Sequence, residues 1–472
     1  MPTPLETTEP LTGVDRAWLR MDDPTNLMTI IGVVMLDQPV DHEEMKAILE
    51  TRLLTIPRFR QRVVTKGAFG RHYWELDPAF DLAAHVDLVS LPEPGGDREL
   101  QDLVSSLMSV PLDSSRPLWH LHQVENHRGG TALLWRLHHC IGDGIALMLV
   151  LLSLTDLKSG RATVGTDSID EEGWEENPLR QLFSTGPLAP DAARQHLERV
   201  MPTAVKLLTG PAETLRSLSK WKKGGASLPA FGRLAARLPD PKTLFKGTLG
   251  MEKRAAWSAG LPLEEVRLVC GHFGGTVNDV LTCAVTGGLR RYLEGKGALA
   301  KGLNLRAVVP VSLRPLEEMA TLGNQFGLAF LSLPVGLGDP VERLAELRRR
   351  MTPLKKSFEP YVALQILAAI GRLPRQAQNL VVRIFGAKGT TVMTNVPGPT
   401  EVLYMAGKAI RSFMFWVPQS GRMGMGIAFA SYAGEVRLGI ATDTGLVADP
   451  EKIVEGFHQE FDEMLRLARG GE

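Results

Sequence analysis

Cysteine is scarce in this sequence, with three residues in a chain of 472. Cys140, Cys270 and Cys283 have no CxxC spacing, which predicts neither a disulfide framework nor a zinc site. Because unpaired cysteines suit a reducing compartment, we expect a cytoplasmic protein.

Long apolar runs are also missing. The longest purely apolar run, Ile145–Leu152, is far shorter than the ~20 residues that a helix needs to cross a bilayer. Residues 1–22 carry Glu6, Glu9 and Asp15 and no apolar core, so we expect no signal peptide. The sequence therefore predicts a protein that is soluble or held only at a membrane surface.

The chain has no excess of either charge. Lys plus Arg and Asp plus Glu each number 53, so the formal net charge is zero. A chain-wide positive field that would attract nucleic acid is absent, and we expect no nucleic-acid partner. The sequence also shows no solenoid period and no long low-complexity tract.

Strand and helix patterns alternate in both halves of the chain. Hydrophobic residues make up 44% of it, enough apolar material for large cores, and the length of the chain suggests two or three domains. The first half predicts a buried strand over Thr29–Leu36 and a helix over Glu43–Leu54 that Asp41 caps. In the second half the pattern predicts one long helix over Gln365–Phe385. We therefore expect an α/β (α+β) fold with mixed sheets.

Residues 161–248 differ in composition from both halves. The ten residues 167–176 contain six acids around a single Trp, which predicts an exposed linker. Short helices broken by prolines follow, and a basic amphipathic stretch surrounds Trp221. This stretch could rest on a membrane or lipid surface, although its composition also fits an ordinary solvated connector helix. We predict domains at 1–160 and 249–472, joined by a linker and helical crossover.

The strongest chemical signal is the run HHxxxDG, which follows an apolar strand. Side chains alternate between the faces of a strand, so only one of His138 and His139 can face a given cavity. Gly142 and Gly144 flank Asp143 and permit a tight turn before the next helix, with a close approach of substrate to the backbone.

A histidine at this position suits proton abstraction from an alcohol. A hydroxyl is almost fully protonated at neutral pH, and a neutral imidazole with a pKa near ~6.5 is well matched to remove its proton. A second contact must hold the imidazole tautomer, and the carbonyl of an acyl donor needs a partner for its developing negative charge.

Other interpretations of these residues stay open. The adjacent histidines could be core residues bonded to the backbone. Asp143 could cap the following helix, a role worth ~1 kcal/mol. A metal site is disfavoured, because adjacent strand histidines diverge and no Cys or Glu cluster completes a ligand shell, so we expect no metal.

The run HHxxxDG resembles the signature of the CoA-dependent acyltransferase superfamily. Within that superfamily the chain resembles the bacterial wax ester synthase/diacylglycerol acyltransferase family almost end to end. The supporting matches are Pro117-Leu118-Trp119, Asn278-Asp279-Val280, Pro310-Val311-Ser312-Leu313-Arg314, Gly323-Asn324, Thr394-Asn395-Val396-Pro397-Gly398-Pro399, and Ser431-Tyr432 with Gly434. The opening from Leu11 to Trp18 also resembles the family, although Thr12-Gly13-Val14 departs from its usual form.

The resemblance assigns roles residue by residue. It implies that His139 is the general base and that His138 supports the pocket. It also implies that Asp143 is structural and pairs with an arginine, for which Arg314 or Arg306 could serve.

Asn278 would lie across the domain interface as an oxyanion or base-orienting donor, with a helix cap as the alternative. Asp279, Thr394 and Asn395 are motif residues expected to support the site. We expect the PLW stretch, with Trp119, mainly to pack in the core.

The resemblance further implies two chloramphenicol-acetyltransferase-like domains with an active-site tunnel between them. Acyl-CoA as co-substrate and a long-chain alcohol or diacylglycerol would react directly, forming wax esters or triacylglycerols without a cofactor. A peripheral position at the inner membrane or lipid bodies fits such apolar acceptors. Two alternatives remain open: a condensation-type enzyme that takes acyl groups from carrier proteins, and a noncatalytic lipid-binding protein on the same fold.

Overall fold

The computed structural model describes residues 8–67, 70–156, 236–313, 322–355, 359–419 and 421–470. The predicted acidic linker, the basic stretch around Trp221 and Arg314 lie outside these residues. The predicted domain boundaries at residues 160 and 248 therefore remain a prediction.

The strands form two large mixed sheets and one small antiparallel sheet. In chain order they are β1 (Glu9–Pro10), β2 (Thr29–Leu36), β3 (Gln61–Lys66), β4 (Arg71–Leu76), β5 (Val86–Ser90), β6 (Trp119–His127), β7 (Gly130–His138), β8 (Lys253–Trp257), β9 (Leu261–Pro262), β10 (Leu305–Ser312), β11 (Phe326–Leu333), β12 (Thr391–Pro397), β13 (Tyr404–Met405), β14 (Lys408–Trp416), β15 (Met425–Tyr432) and β16 (Glu435–Asp443).

Helices cover these sheets. In chain order they are α1 (Gly13–Met21), α2 (His42–Thr51), α3 (Asp97–Met108), α4 (Gly144–Ser153), α5 (Leu263–Phe273), α6 (Val277–Gly295), α7 (Pro340–Lys355), α8 (Glu359–Ile370), α9 (Arg375–Gly386) and α10 (Glu451–Ala468). None of them, within the described ranges, has the length and apolar character that a membrane crossing requires.

The first sheet is built from both halves of the chain. Its order is β13-β14-β2-β7-β6-β5, so the central strand β2 pairs with β7 on one side and with β14 on the other. β14 comes from the second half and lies antiparallel to β2, with Trp416 opposite Ile31. The halves are therefore joined by main-chain hydrogen bonds as well as by side-chain packing.

The second sheet has the order β11-β10-β12-β15-β16-β8, and β9 pairs with β16. β12 runs parallel to β10 and to β15, while the remaining pairs are antiparallel. Helices α6 and α10 pack together, and buried residues of both belong to the core cluster that includes this sheet. The mixed α/β fold expected from the sequence is confirmed.

Most predicted elements match, and one does not. The strand Thr29–Leu36 is confirmed, and so is the helix that follows Asp41. The side chain of Asp41 caps this helix by accepting hydrogen bonds from the backbone amides of Glu43 and Glu44. The predicted single helix over Gln365–Phe385 is wrong, since α8 ends at Ile370 and α9 begins at Arg375. Pro374 explains the break, because proline lacks an amide hydrogen and clashes with the preceding helical turn.

The departure at Thr12-Gly13-Val14 from the usual family opening has a local physical reason. Thr12 caps α1, its hydroxyl accepting from the amide of Asp15. A Cβ on Gly13 would lie 2.4 Å from the carbonyl oxygen of Ala368, so only glycine permits α8 to approach α1 this closely.

Asp143 joins the two halves at the start of α4. Its Oδ1 accepts from the amide of Ala146, which makes it the N-cap of α4, and its Oδ2 accepts from the amide of Gln325 at 3.0 Å. The amide of Asp143 in turn donates to the carbonyl of Gly323. A buried carboxylate therefore fixes the HHxxxDG turn to the segment that precedes β11.

Replacement of Asp143 should lower stability more than loss of an ordinary cap. We expect Asp143→Ala to cost about 2–3 kcal/mol, because it removes a cap worth ~1 kcal/mol and leaves the half-buried amide of Gln325 without that acceptor. The matched control is Asp41→Ala, which removes the exposed cap of α2 and should cost about 1 kcal/mol. Thermal melting of both variants tests this, and equal melting temperatures would contradict the joining role.

Candidate active site

His139 lies immediately after β7, where the motif turn of the first half contacts residues 323–325 of the second half. We call this contact the joint between the halves. Its amide donates to the carbonyl of Met28 beside β2, whereas the amide of His138 donates to the carbonyl of Leu118 beside β6. The strand pattern thus continues to the end of the histidine pair. Both side chains are buried, His139 at 5% exposure and His138 at 3%.

The imidazole of His139 stacks on an indole. The ring centroids of His139 and Trp18 are 4.0 Å apart with an interplanar angle of 8°, and Phe326 lies at 5.6 Å from the imidazole in a tilted arrangement. Trp18 belongs to α1 and Phe326 to β11, so side chains from both halves fix the plane of the ring.

Burial keeps His139 neutral. Loss of water contact lowers the pKa of His139 to about 4, although the nearby Asp143 carboxylate and the Asn324 side chain favour the protonated ring. Burial also lowers the pKa of His138 to about 3, with the neighbouring His139 acting in the same direction. Both rings are therefore uncharged at neutral pH, which is the state that a general base requires.

Asn324 connects the base to α1. Its amide nitrogen donates to the carbonyl oxygen of His139 and to Oδ1 of Asp15, both at 2.8 Å. Asn324 Oδ1 and His139 Nδ1 are both buried, and neither has a hydrogen-bond partner among the described residues. Burial raises the pKa of Asp15, while Asn324 and Thr12 lower it through hydrogen bonds.

His138 has a structural environment. Its Nδ1 accepts from the amide of Cys140, and its Nε2 lies 3.8 Å from Oδ1 of Asp22. The ring therefore holds the turn that follows β7. Cys140, Cys270 and Cys283 are all free, as the sequence predicted.

An apolar cavity begins beside the motif and extends between α4 and the first sheet. It contains about 730 Å³ of empty space, including its open side. Leu137, which precedes the motif, and Gly144, its last residue, line the cavity, whereas His139 does not. Other lining residues come from β2, β7, α4, β12 and β14, and include Ile30, Val34, Trp135, Leu147, Leu151, Val396, Phe413 and Phe415.

The glycines of the motif are not required by backbone conformation, because neither Gly142 nor Gly144 has a positive φ. Gly142 instead forms a bridge to Gly323, and Gly144 lies on the cavity wall, where a Cβ would be 3.7 Å from Val396. A Cβ at either position would make only ordinary van der Waals contacts, so the role of these glycines in a tight turn and in substrate approach stays a prediction.

The predicted arginine partners of Asp143 have separate outcomes. Arg314 lies outside the described residues. The prediction that Arg306 pairs with Asp143 is wrong, since Arg306 donates to the carbonyls of Leu238 and Lys388 and lies 3.7 Å from Asp240. Arg306 lies at the start of β10, and the other end of this strand leads to Leu313 and the joint. The two ends are about 20 Å apart, given the rise per residue of a β-strand.

The PLW stretch packs in the core, as expected. Pro117, Leu118 and Trp119 are buried. The indole of Trp119 donates to the carbonyl of Phe59 at 2.8 Å and stacks on His85 at 4.6 Å.

The NDV motif begins α6. Thr276 caps this helix in a capping box with Asp279, so the cap interpretation of Asn278 is wrong and Asp279 is the reciprocal member. Asn278 Oδ1 accepts a hydrogen bond from the side-chain amide of Asn395 on β12. None of the described contacts joins Asn278 to His139. Thr394 is buried on the same strand.

Trp18 and Asn324 are the site residues that the sequence analysis did not assign. Both fell within stretches that matched the family, but neither stretch carried a predicted role. Their signal was the resemblance of these stretches to the family, far from HHxxxDG in the chain. Only the fold shows that these positions meet at His139.

Comparison with known proteins supplies the family. The model of the wax ester synthase/diacylglycerol acyltransferase catalytic domain matches residues 11–281, and the model of the WS/DGAT C-terminal domain matches residues 322–465. A protein of Mycobacterium tuberculosis named as a probable diacylglycerol O-acyltransferase is 28% identical over 468 residues, which cover 97% of this chain and 96% of the relative.

Solved structures share the fold. The wax ester synthase/diacylglycerol acyltransferase from Marinobacter aquaeolei VT8 superposes with a TM-score of 0.67 at 22% identity, covering 98% of this chain and 100% of the other. The first condensation domain of the CDA synthetase gives a TM-score of 0.58 at 15% identity, covering 98% and 96%.

These matches favour neither the condensation-type nor the noncatalytic alternative. The family models span both halves of the chain, including the joint at which His139, Trp18 and Asn324 meet. The chain belongs to the wax ester synthase/diacylglycerol acyltransferase family and is an acyltransferase.

Proposed function

We propose that this protein transfers a fatty acyl group from acyl-CoA to the hydroxyl of diacylglycerol or a long-chain alcohol, with His139 as general base. The observation that carries the proposal is a neutral, buried imidazole in the turn between Leu137 and Gly144, two residues that line an apolar cavity. The relative from M. tuberculosis is named for diacylglycerol, which favours triacylglycerol as the main product.

The polar atoms around the ring suggest roles for the two nitrogens of His139. Nδ1 of His139 and Oδ1 of Asn324 are both buried without a hydrogen-bond partner among the described residues, while the Asn324 side chain raises the pKa of the ring. A hydrogen bond from Nδ1–H to Oδ1 would satisfy both atoms and would leave Nε2 with the free lone pair. Nε2 would then receive the proton of the acceptor.

Trp18 favours the charged state that the reaction creates. When Nε2 takes the proton, the ring becomes an imidazolium that lies parallel to the indole at 4.0 Å. A cation over an aromatic face is stabilised by about 0.5–2 kcal/mol, more when water is excluded. Trp18 is thus a positioning residue that also lowers the cost of charging the base.

The transfer balances without a resident cofactor. The acceptor oxygen, as its proton passes to Nε2, attacks the thioester carbon, and the bond between that carbon and sulfur then breaks. The CoA thiolate leaves and takes the proton from the imidazolium, which restores the neutral base. Acyl-CoA is the co-substrate of this direct transfer, and Asn278 remains a candidate donor to the oxyanion.

The cavity fits the acyl chain. It follows α4 from Gly144 to Leu154, about 15 Å at the rise of a helix. Its walls are apolar, so a hydrocarbon chain gains the free energy of leaving water. On β2, Ile30 pairs with Leu137 next to the motif, and Val34 lies four residues farther along the strand. Val34 therefore marks the end of the cavity that is distal to the motif.

We also propose that α9 rests on an anionic lipid surface from which the acceptor arrives. Leu380 and Ile384 are exposed at 56% and 49%, and Arg383 is exposed at the edge of the face that they form. An apolar face edged by a basic residue is typical of helices that lie in a membrane interface. α9 packs on α1, where Gln378 donates to the carbonyl of Ala17, next to Trp18.

Loss of the imidazole should abolish ester formation. We expect His139→Ala to lower the rate with palmitoyl-CoA and diacylglycerol by on the order of 10²–10⁴-fold, the usual contribution of a positioned general base. His139→Gln preserves most of the volume and should be equally inactive. The control is His272→Ala, at an exposed histidine. Near-normal turnover of a folded His139 variant would contradict the proposal.

Filling the distal end of the cavity should shorten the preferred acyl chain. For Val34→Phe we expect the ratio of kcat/KM for palmitoyl-CoA to that for octanoyl-CoA to fall by on the order of tenfold or more, since one or two methylenes decide such fits. A ratio within one variant is independent of the folded fraction. Val124→Phe, at a buried valine of β6 outside the cavity lining, should leave the ratio unchanged. Equal ratios for both variants would place the acyl chain elsewhere.

Removal of the apolar face of α9 should weaken lipid binding. We expect Leu380→Ser with Ile384→Ser to lower binding to phosphatidylglycerol vesicles by on the order of tenfold or more, since each side chain would lose its burial in the interface. The matched control is Leu268→Ser with Val341→Ser, at exposed apolar residues of α5 and α7. A sedimentation assay in which both double variants bind alike would rule out docking through α9.

A further inference from the structure

Three potential metal ligands meet on the first sheet, at its β5–β6 edge. β5 runs parallel to β6 and places Asp87 opposite His122. His120 and His122 are two residues apart on β6, so their side chains share one face. Their imidazole centroids are 4.6 Å apart.

The ligand atoms converge on a small volume. One ligand atom of each of Asp87, His120 and His122 lies within 4.8 Å of the other two. Oδ2 of Asp87 is 2.9 Å from Nε2 of His120 and 3.3 Å from Nδ1 of His122. Two ligands that each lie about 2.0–2.1 Å from a tetrahedral zinc ion are about 3.4 Å apart, so the two distances from Asp87 are close to those of a ligand set.

We propose that Asp87, His120 and His122 bind one divalent transition metal ion, with Zn²⁺ as the best match. Two imidazoles and one carboxylate are ligands that zinc accepts, and a water molecule would complete the fourth position. Asp87 is exposed and His120 half-buried, which gives the ion a path from solvent, while the buried His122 forms the floor.

The site is separate from the acyl-transfer site. His120 pairs across the strands with Arg136, and both face away from the cavity, which the alternate residues Trp135 and Leu137 line. The ion would therefore not act on the acyl group. It would instead tie the edge strand β5 to β6, because one ligand comes from β5 and two from β6.

The neighbouring charges decide how strongly the site binds. Arg136 is the cross-strand neighbour of His120 and lies on the same face of the sheet. Arg136 repels a cation, and Asp87 offsets this repulsion. A hydrogen bond between Asp87 and His120 explains one contact of the carboxylate. It does not explain why Nδ1 of His122 also lies near the same oxygen.

Zinc titration of the full chain, after removal of any affinity tag, tests the proposal. We expect isothermal titration calorimetry to show one site per chain and Zn²⁺ to raise the melting temperature. His120→Ala and Asp87→Asn, both at the accessible side of the cluster, should weaken binding by at least about tenfold to 100-fold and remove the thermal shift. Co²⁺ should give visible absorption bands in the parent and not in these variants.

The control is His272→Ala, at an exposed histidine outside the cluster, which should bind Zn²⁺ like the parent. Ester formation should be unchanged in His120→Ala, so this test does not depend on the proposed acyl transfer. The proposal would be overturned by a parent that binds no Zn²⁺, or by a stoichiometry and affinity that all variants share.

Discussion

The hydrogen bonds of Asn324 are the constraint on which the proposed chemistry depends. This one side chain, from the second half of the chain, binds the backbone of His139 and the buried carboxylate of Asp15 on α1. Next to it, the amide of Gln325 binds Asp143. The catalytic turn of the first half is thus held by the second half as well as by its own strand pairing. The pairing of β14 with β2 keeps the halves in the register that these contacts need.

Local patterns carried much of the fold. Alternation and β-branched runs predicted β2 and β7, and an acidic cap predicted the start of α2, because each of these signals lies within a few residues of sequence. Contacts between distant segments were not predictable in the same way. Nothing local to Lys408–Trp416 indicates that this strand joins the first sheet, and nothing local to Trp18 indicates that it stacks on His139. The break before α9 was visible as Pro374, but the apolar pattern on both sides outweighed it.

Burial of His139 sets a balance between two needs of a general base. Exclusion of water lowers the pKa and keeps the ring neutral, yet the same burial opposes the imidazolium that forms during transfer. The indole of Trp18, the carboxylate of Asp143 and the amide of Asn324 each favour that cation. Because these groups come from α1, the turn and the segment before β11, the balance exists only when both halves are assembled.

The pH dependence of ester formation tests the role of His139 most directly. The base is active when deprotonated, and its pKa is lowered from 6.5 to about 4, so activity should persist as the pH falls below the ordinary histidine range. We predict that kcat/KM for palmitoyl-CoA, measured from about pH 5 to pH 9 with the folded state monitored at each pH, decreases on the acid side only well below pH 6.5. An acid limb at or above 6.5 in a fully folded enzyme would contradict a buried His139 as the base.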